Sequence, residues 1–181
     1  MTVLVGYSSK YGATEGIAER IAAGLRKAGL EVDARPVGSV RDPAAYDAFV
    51  IGASAYMGSW RKDATRFVRR HRDLLAARPV WLFSSGPLGT ASKDADGRDR
   101  LVTAQPKQFR ELAEIIGPRA VQVFFGAMDP STLRGRDRLV SRIPSVEDIM
   151  PAGDFRDWPA IDAWTESIAN DLSSTTQSFP A

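Results

Sequence analysis

The sequence predicts an α/β domain whose parallel β-sheet is covered by helices on both faces. Five short apolar runs alternate with segments that repeat apolar residues at helical spacing. This alternation is typical of parallel sheets, because parallel neighbours must be joined by long, usually helical, crossovers. The run DAFVIGA at residues 47–53 is apolar almost throughout, as a central strand buried on both faces should be. The predicted class is therefore doubly wound α/β.

The strands are predicted from apolar runs that end in polar or glycine-containing loops. They cover residues 3–7, 30–36, 47–53, 79–84 and 120–126.

The helices are predicted from apolar residues that recur every three or four positions. The first covers residues 14–28, and Gly29 follows it as a stop signal. The second covers residues 62–76, the third runs from about 106 to 116, and the last begins near Trp158. On the second helix one apolar face carries Ala64, Phe67, Val68, His71 and Leu75. His71, the single histidine, is therefore expected to have a structural role.

Length and composition fit one domain. The chain has 181 residues, of which 44% are hydrophobic and 25% charged, as in ordinary globular proteins. We expect the domain to cover residues 1–172 and the polar segment 173–181 to be a flexible tail. There is no cysteine, which excludes disulfides, thiolate metal sites and iron–sulfur clusters, so any electrons must travel on a bound cofactor. No export signal or long apolar run is present, and we expect a cytoplasmic protein.

The basic residues form two groups, although the net charge is only +2. The first group is Arg61, Lys62, Arg66, Arg69, Arg70 and Arg72, and the second is Arg134, Arg136, Arg138 and Arg142. Each could face an anionic partner, or could simply be a solvated surface.

The loops after the first, third and fourth strands are the candidate binding site, because ligands of open parallel sheets bind beyond the carboxyl ends of the strands. The loop after the first strand contains Ser8, Ser9, Lys10, Tyr11, Gly12, Ala13 and Thr14. Hydroxyls, a glycine and the start of a helix can together surround a phosphate. Alternatively, Thr14 merely caps the helix.

The other two loops could hold a planar ring. After the third strand come Ser54, Ala55, Tyr56, Met57, Gly58 and Trp60, and after the fourth come Ser84, Ser85, Gly86, Leu88 and Gly89. Aromatic faces can stack on a ring, and glycines let the backbone approach its polar edge. The other interpretation is that Tyr56 or Trp60 only covers the edge of the sheet.

Other nucleotide and catalytic sites fit the sequence poorly. The first loop lacks the glycine-lysine-serine/threonine ending of a P-loop and the spaced glycines of a dinucleotide site. A phosphate-accepting receiver domain would need an aspartate where the third strand ends in Ala53 and Ser54. We predict neither a metal site nor a catalytic side chain.

The segments VLVGYSSKYGATEGIAERIA and FVIGASAYMGSW resemble the flavodoxin superfamily. Within it the chain is similar to the menaquinone-dependent protoporphyrinogen dehydrogenase branch, through FVRRH, FFGAMDP and DWPAIDAW. The resemblance implies a sheet of strand order 2-1-3-4-5. It also implies FMN, with its phosphate in the first loop and its ring between the other two.

The resemblance further implies an FMN-dependent oxidoreductase or electron-transfer protein with a redox partner or a small substrate. Quinone and porphyrinogen are the candidates, a peripheral membrane contact is open, and no nucleic-acid partner is expected. Two alternatives stay open: a deazaflavin in place of FMN, and a non-redox interaction module on the same fold.

Overall fold

The structure, a computed structural model, describes residues 1–133, 135 and 151–177. Its main sheet contains five parallel strands in the order β2-β1-β3-β5-β6. The strands are β1 (Thr2–Ser8), β2 (Glu31–Pro36), β3 (Ala48–Tyr56), β5 (Val80–Ser85) and β6 (Ala120–Phe124). Counted along the chain, the parallel strands have the order 2-1-3-4-5, which confirms the predicted fold class.

Two short antiparallel additions were not predicted. Strand β4 (Ser59–Trp60) folds back onto the end of β3, and β7 (Ala127–Met128) pairs with β8 (Gly153–Asp154) beside the sheet. Both lie after strand ends, where the chain would otherwise form an open loop.

The helices lie near the predicted positions. They are α1 (Ala13–Lys27), α2 (Lys62–Arg70), α3 (Arg72–Ala76), α4 (Arg100–Thr103), α5 (Gln108–Ile116) and α6 (Trp158–Gln177). The predicted helix over 62–76 is thus divided at His71, although the amide of His71 still donates to the Phe67 carbonyl at 3.1 Å. Helix α6 continues past residue 172, and residues 178–181 of the expected tail lie outside the described part. Among the described helices, none is both long enough and apolar enough to cross a bilayer.

Apolar layers cover both faces of the sheet. On one face Val3, Val5 and Tyr7 of β1 pack with Ile17, Ile21 and Leu25 of α1 and Ile161, Ile168 and Leu172 of α6. On the other face Leu4, Phe49 and Ile51 pack with Phe67 and Val68 of α2, Leu75 of α3 and Leu112 of α5. Neighbouring residues of β1 therefore point to opposite layers, which is what a doubly wound sheet requires.

The start of α1 is held by contacts from β1 and from the chain before α6. The Tyr7 hydroxyl donates to Glu15 Oε1 at 2.6 Å. Burial, and then the Glu15 carboxylate, raise the pKa of Tyr7 to about 12. Arg156 pairs with Asp154, with Nη2 2.6 Å from Oδ2, and its guanidinium lies 4.5 Å from the centre of the Trp158 ring. Its Nη1 donates to the Ala13 carbonyl at 3.4 Å, so the segment before α6 supports the first turn of α1.

Gly52 in the middle of β3 is required by the packing of one aromatic ring. A β-carbon at this position would lie 1.9 Å from Cζ of Phe83. Phe83 is fully buried and contacts the rings of Phe124 and Trp164, with centroids 6.2 and 6.1 Å away. The ring has no free space to move into, so the strand beneath it needs a residue without a side chain.

We predict that Gly52→Ala lowers the free energy of unfolding by about 1–3 kcal/mol, because the added methyl overpacks the core. Gly38→Ala is the matched control, since nothing lies within 4 Å of a β-carbon there. Urea denaturation of both variants measures the difference. Equal midpoints for the two variants would contradict the packing argument.

Candidate functional site

A cavity of about 640 Å³ lies at the carboxyl ends of the parallel strands. It is lined by Ser9, Lys10, Tyr11, Ala13, Thr14, Ser54, Ala55, Tyr56, Met57, Arg61, Ser85, Gly86, Pro87, Leu88, Arg100, Gly126, Ala127, Met128 and Leu133. All three predicted loops therefore contribute to one site, and its volume is in the range of small-molecule and cofactor sites.

The first loop presents the start of α1 to this cavity. Gly12 precedes the helix with a φ of +86°, a left-handed conformation that favours glycine. The amide of Gly12 donates to Ser9 Oγ at 3.0 Å, which folds the loop back on itself. No side chain in the described part of the chain caps α1, although such a cap normally accepts hydrogen bonds from the first amides of a helix. The first turn of α1 therefore offers backbone N–H donors and a partial positive charge.

A buried pair of hydroxyls joins the first loop to the loop after β5. Thr14 Oγ1 lies 2.7 Å from Ser85 Oγ, and Thr14 is fully buried while Ser85 is 3% exposed. Thr14 is therefore not the cap of its helix, which was the alternative interpretation. Instead it fixes the start of α1 against β5.

The second loop is a tight hairpin between β3 and β4. Its two turn residues, Met57 and Gly58, both have positive φ, 50° and 70°, as in two-residue hairpin turns. A positive φ is unfavourable for methionine. The turn leaves Tyr56 and Met57 exposed by 57% and 88%. An aromatic and an apolar side chain thus lie at the mouth of the cavity.

The third loop is fixed by backbone hydrogen bonds and one arginine. The amide of Gly86 donates to the Phe124 carbonyl at 3.1 Å, and that of Gly126 to the Pro87 carbonyl at 3.0 Å. Arg100 of α4 lines the cavity and donates through Nη2 to the Leu88 carbonyl at 3.0 Å. This loop is therefore held by the segment after β6 and by α4.

Twelve of the predicted site residues line the cavity, and six do not. Gly12, Gly58 and Gly89 shape the loops without lining it. Ser84 is fully buried in β5, and its Oγ has no hydrogen-bond partner among the described residues. Ser8 is 6% exposed and contacts Arg61 and Asp63.

The assignment of Trp60 as a ring contact is wrong. Trp60 is 1% exposed, and its Nε1 donates to the Phe83 carbonyl at 3.1 Å. Its ring packs edge-on against Phe109 of α5, with centroids 5.2 Å apart. The hairpin pairs Trp60 with Ala55 and thereby directs the indole into the core beneath the sheet.

Seven residues of the lining were not predicted: Arg61, Pro87, Arg100, Gly126, Ala127, Met128 and Leu133. The residues from Gly126 to Leu133 follow β6, whose carboxyl end lies at the same edge as the other three. The rule that selected the earlier loops could therefore have found this one. Arg100 gave no signal, because it belongs to a four-residue helix.

The first basic group does not form one surface facing the cavity. Arg61 alone of that group lines it, and Arg69 pairs instead with Glu111, with Nη2 2.7 Å from Oε2. The second group, from Arg134 to Arg142, lies outside the described residues. Among the described residues the cavity has three cationic side chains, Lys10, Arg61 and Arg100, and no acidic one, so its electrostatic potential favours an anion.

His71 lies away from the cavity, and its ring packs against Phe67 with centroids 4.9 Å apart. Burial, and then the charge of Arg70, lower its pKa and so favour the neutral imidazole. This geometry supports the structural role expected for His71.

The family model described as flavodoxin domain matches residues 4–146. The chain belongs to the flavodoxin domain family. Over 86 residues it is 31% identical to the protoporphyrinogen IX dehydrogenase (quinone) of Escherichia coli strain K12, and equally to that of strain O157:H7. The match covers 46% of this chain and 48% of each enzyme, so it spans about half the length of these curated relatives.

Solved structures agree with the fold. An archaeal flavodoxin superimposes with a TM-score of 0.59 at 15% identity, covering 96% of this chain and 99% of that one. A mutant flavodoxin from Pseudomonas aeruginosa superimposes with a TM-score of 0.57 at 21% identity, again covering 96% of this chain and 99% of that one. The rubredoxin oxygen:oxidoreductase of Desulfovibrio gigas gives 0.60 at 12% identity, with 96% of this chain but 36% of that chain covered. Family membership supports a flavin-dependent redox role for the chain.

The burial of Trp60 generates a stability prediction. We expect Trp60→Phe to lower the free energy of unfolding by about 1–3 kcal/mol, because it leaves a void and removes the hydrogen bond to Phe83. Tyr56→Ala, in the same hairpin but exposed, should change it by less than about 0.5 kcal/mol. Thermal and urea unfolding measure both. If Tyr56→Ala proved the more destabilising variant, our placement of the two aromatic residues would be wrong.

Proposed function

We propose that this protein is an FMN-dependent oxidoreductase whose flavodoxin-like domain extends past the expected boundary at 172 to the end of α6 at Gln177. The observation that carries the proposal is the uncapped start of α1, which faces a cavity together with loops of aromatic and small residues. A phosphate group and a planar ring joined in one ligand match these two parts of the site.

The first loop has the donors that a phosphate needs. The first turn of α1 supplies backbone N–H groups, and Ser9 lines the same wall. The Ser9 hydroxyl accepts from the Gly12 amide and so keeps its own hydrogen to donate. Hydrogen bonds to a charged acceptor contribute about 1.5–3 kcal/mol each, more than those to a neutral one. This donor set therefore favours FMN over riboflavin, which lacks the phosphate.

The other loops fit the flat isoalloxazine ring. Tyr56 and Met57 would contact it from the hairpin after β3, and Gly86 to Leu88 from the loop after β5. At Gly86 a β-carbon would lie 3.7 Å from Cβ of Ala55, so the two loops are in van der Waals range of each other in the cavity wall. The fixed backbone of both loops would hold the ring in one orientation.

Bound FMN would supply the transfer of a hydride or of single electrons. The chain's own task is to bind, orient and shield. The backbone of α1 and the Ser9 hydroxyl would hold the phosphate, and the hydrogen bonds of Gly86, Gly126 and Arg100 would keep the third loop in place. Tyr56 and Met57, both exposed, would border the opening through which a partner reaches the site.

The substrate proposal comes from the curated relatives. The matched enzymes are named protoporphyrinogen IX dehydrogenases with a quinone, and we propose a porphyrinogen as electron donor and a quinone as acceptor. Because quinones are apolar, reaction with one at a membrane would require the chain to bind the membrane surface peripherally. The cationic lining is compatible with a donor that carries carboxylates.

We predict that the purified protein binds FMN about a hundredfold more tightly than riboflavin, since one or two charge-assisted hydrogen bonds account for that ratio. Quenching of flavin fluorescence measures both dissociation constants, and a phosphorylated deazaflavin is titrated in parallel. Oxidation of protoporphyrinogen with menaquinone is then assayed with the FMN-loaded protein.

The alternatives predict other results. If the deazaflavin bound more tightly than FMN, we would assign the deazaflavin as the cofactor instead. Equal affinities for FMN and riboflavin would contradict the assignment of the first loop to a phosphate. If the protein bound none of the three flavins, the remaining hypothesis would be a non-redox interaction module.

A further inference from the structure

Arg61 connects the first loop to the segment between β4 and α2. Its Nε donates to Ser8 Oγ at 2.8 Å, and its Nη2 lies 3.0 Å from Asp63 Oδ2. Ser8 Oγ also lies 3.4 Å from the same carboxylate oxygen. These three side chains form a small polar triangle at the end of β1.

The triangle borders the wall that would hold a phosphate. Ser8 directly precedes Ser9, and Ser9, Arg61 and Thr14 all line the cavity. The Arg61 side chain is 29% exposed, so it is partly withdrawn from water while remaining accessible. A guanidinium has five N–H donors, and the described residues accept hydrogen bonds from two of them. The remaining donors can bind a ligand without breaking the contact with Ser8.

Unlike Arg61, Asp63 lies outside the cavity lining. Its side chain is 51% exposed. An exposed ion pair of this kind contributes little to stability, about 0–1 kcal/mol. A phosphate dianion in the cavity can therefore compete with Asp63 for the Arg61 guanidinium.

We propose that Arg61 is a specificity residue for the phosphate of the flavin, and that Asp63 competes with this phosphate for its guanidinium. This inference rests on the proposed function, and it adds a second cation, beside Lys10, to the backbone amides and hydroxyl of the first loop. In the free protein Arg61 binds Ser8 and Asp63. On binding, it keeps Ser8 and turns its remaining donors to the phosphate.

The test measures FMN and riboflavin dissociation constants for five proteins: wild type, Arg61→Gln, Arg61→Lys, Asp63→Asn and Arg66→Gln. Arg61→Gln should weaken FMN binding about tenfold or more, the loss of one charge-assisted hydrogen bond, and leave riboflavin within about twofold. Asp63→Asn should tighten FMN binding severalfold, because it removes the competing charge, and leave riboflavin unchanged.

Arg66→Gln is the matched control. Arg66 is exposed on α2, one turn from Arg61, and does not line the cavity. The Arg66→Gln variant loses the same charge as Arg61→Gln, so it measures the effect of the protein's overall electrostatic potential alone. Its FMN affinity should change by less than about twofold. Arg61→Lys, which keeps the charge, should restore part of the FMN affinity and guards against a variant that merely folds poorly.

The outcomes separate the two proposals. If the wild type prefers FMN but Arg61→Gln keeps the same ratio of FMN to riboflavin affinity, Arg61 has no role and the proposed function stands. An Arg66→Gln effect equal to that of Arg61→Gln would also overturn the inference. An unchanged FMN affinity in Asp63→Asn would show that Asp63 does not compete. If the wild type binds no flavin, both proposals fail.

Discussion

The register between parallel strands determines where the site lies. Ser8 at the end of β1 is paired with Ala53 of β3, and Ala53 is paired with Ser84 of β5. One residue further, Ser54 is paired with Ser85, and Ser85 with Phe124 of β6. Apolar layers on both faces fix this register, because a shift of one residue would turn the buried side chains to the wrong layer. Four loops therefore leave the sheet at the same edge.

Charge adds a second constraint to this edge. The start of α1 carries the positive end of the helix dipole, and the described lining contains cationic but no acidic side chains. Asp63 does not line the cavity and is paired with Arg61. The site thus favours an anionic group at its first loop, while Tyr56 and Met57 provide an apolar, aromatic entrance.

Much of the fold and part of the site follow from the sequence. The continuous apolar run of β3 and the helical spacing of Ile17, Ile21 and Leu25 predict the sheet and its crossovers, because burial on one or two faces determines those patterns. The positions of the three loops follow from chain topology alone. What individual side chains do within a loop does not follow, because it depends on turn geometry.

Trp60 and Tyr56 illustrate that limit. Both are aromatic, and both lie within one loop, so the sequence suggests the same role for each. The two-residue turn at Met57 and Gly58 reverses the chain, so that Trp60 pairs with Ala55. Trp60 therefore lies in the core, whereas Tyr56 stays at the surface. Arg61 illustrates the converse case. In the sequence it is one of six neighbouring basic residues, and only the fold brings its guanidinium to Ser8 and separates it from the others.

The central claim is that the first turn of α1 binds the anionic part of a flavin, and backbone amide NMR tests it most directly. The protein is titrated with FMN, riboflavin and inorganic phosphate. We predict that FMN and phosphate shift the amides of Gly12, Ala13 and Thr14 strongly, whereas riboflavin leaves them in place and shifts those of Tyr56 and Met57. If FMN left the amides of the first turn unchanged, or if riboflavin shifted them equally, the first loop would not be a phosphate site.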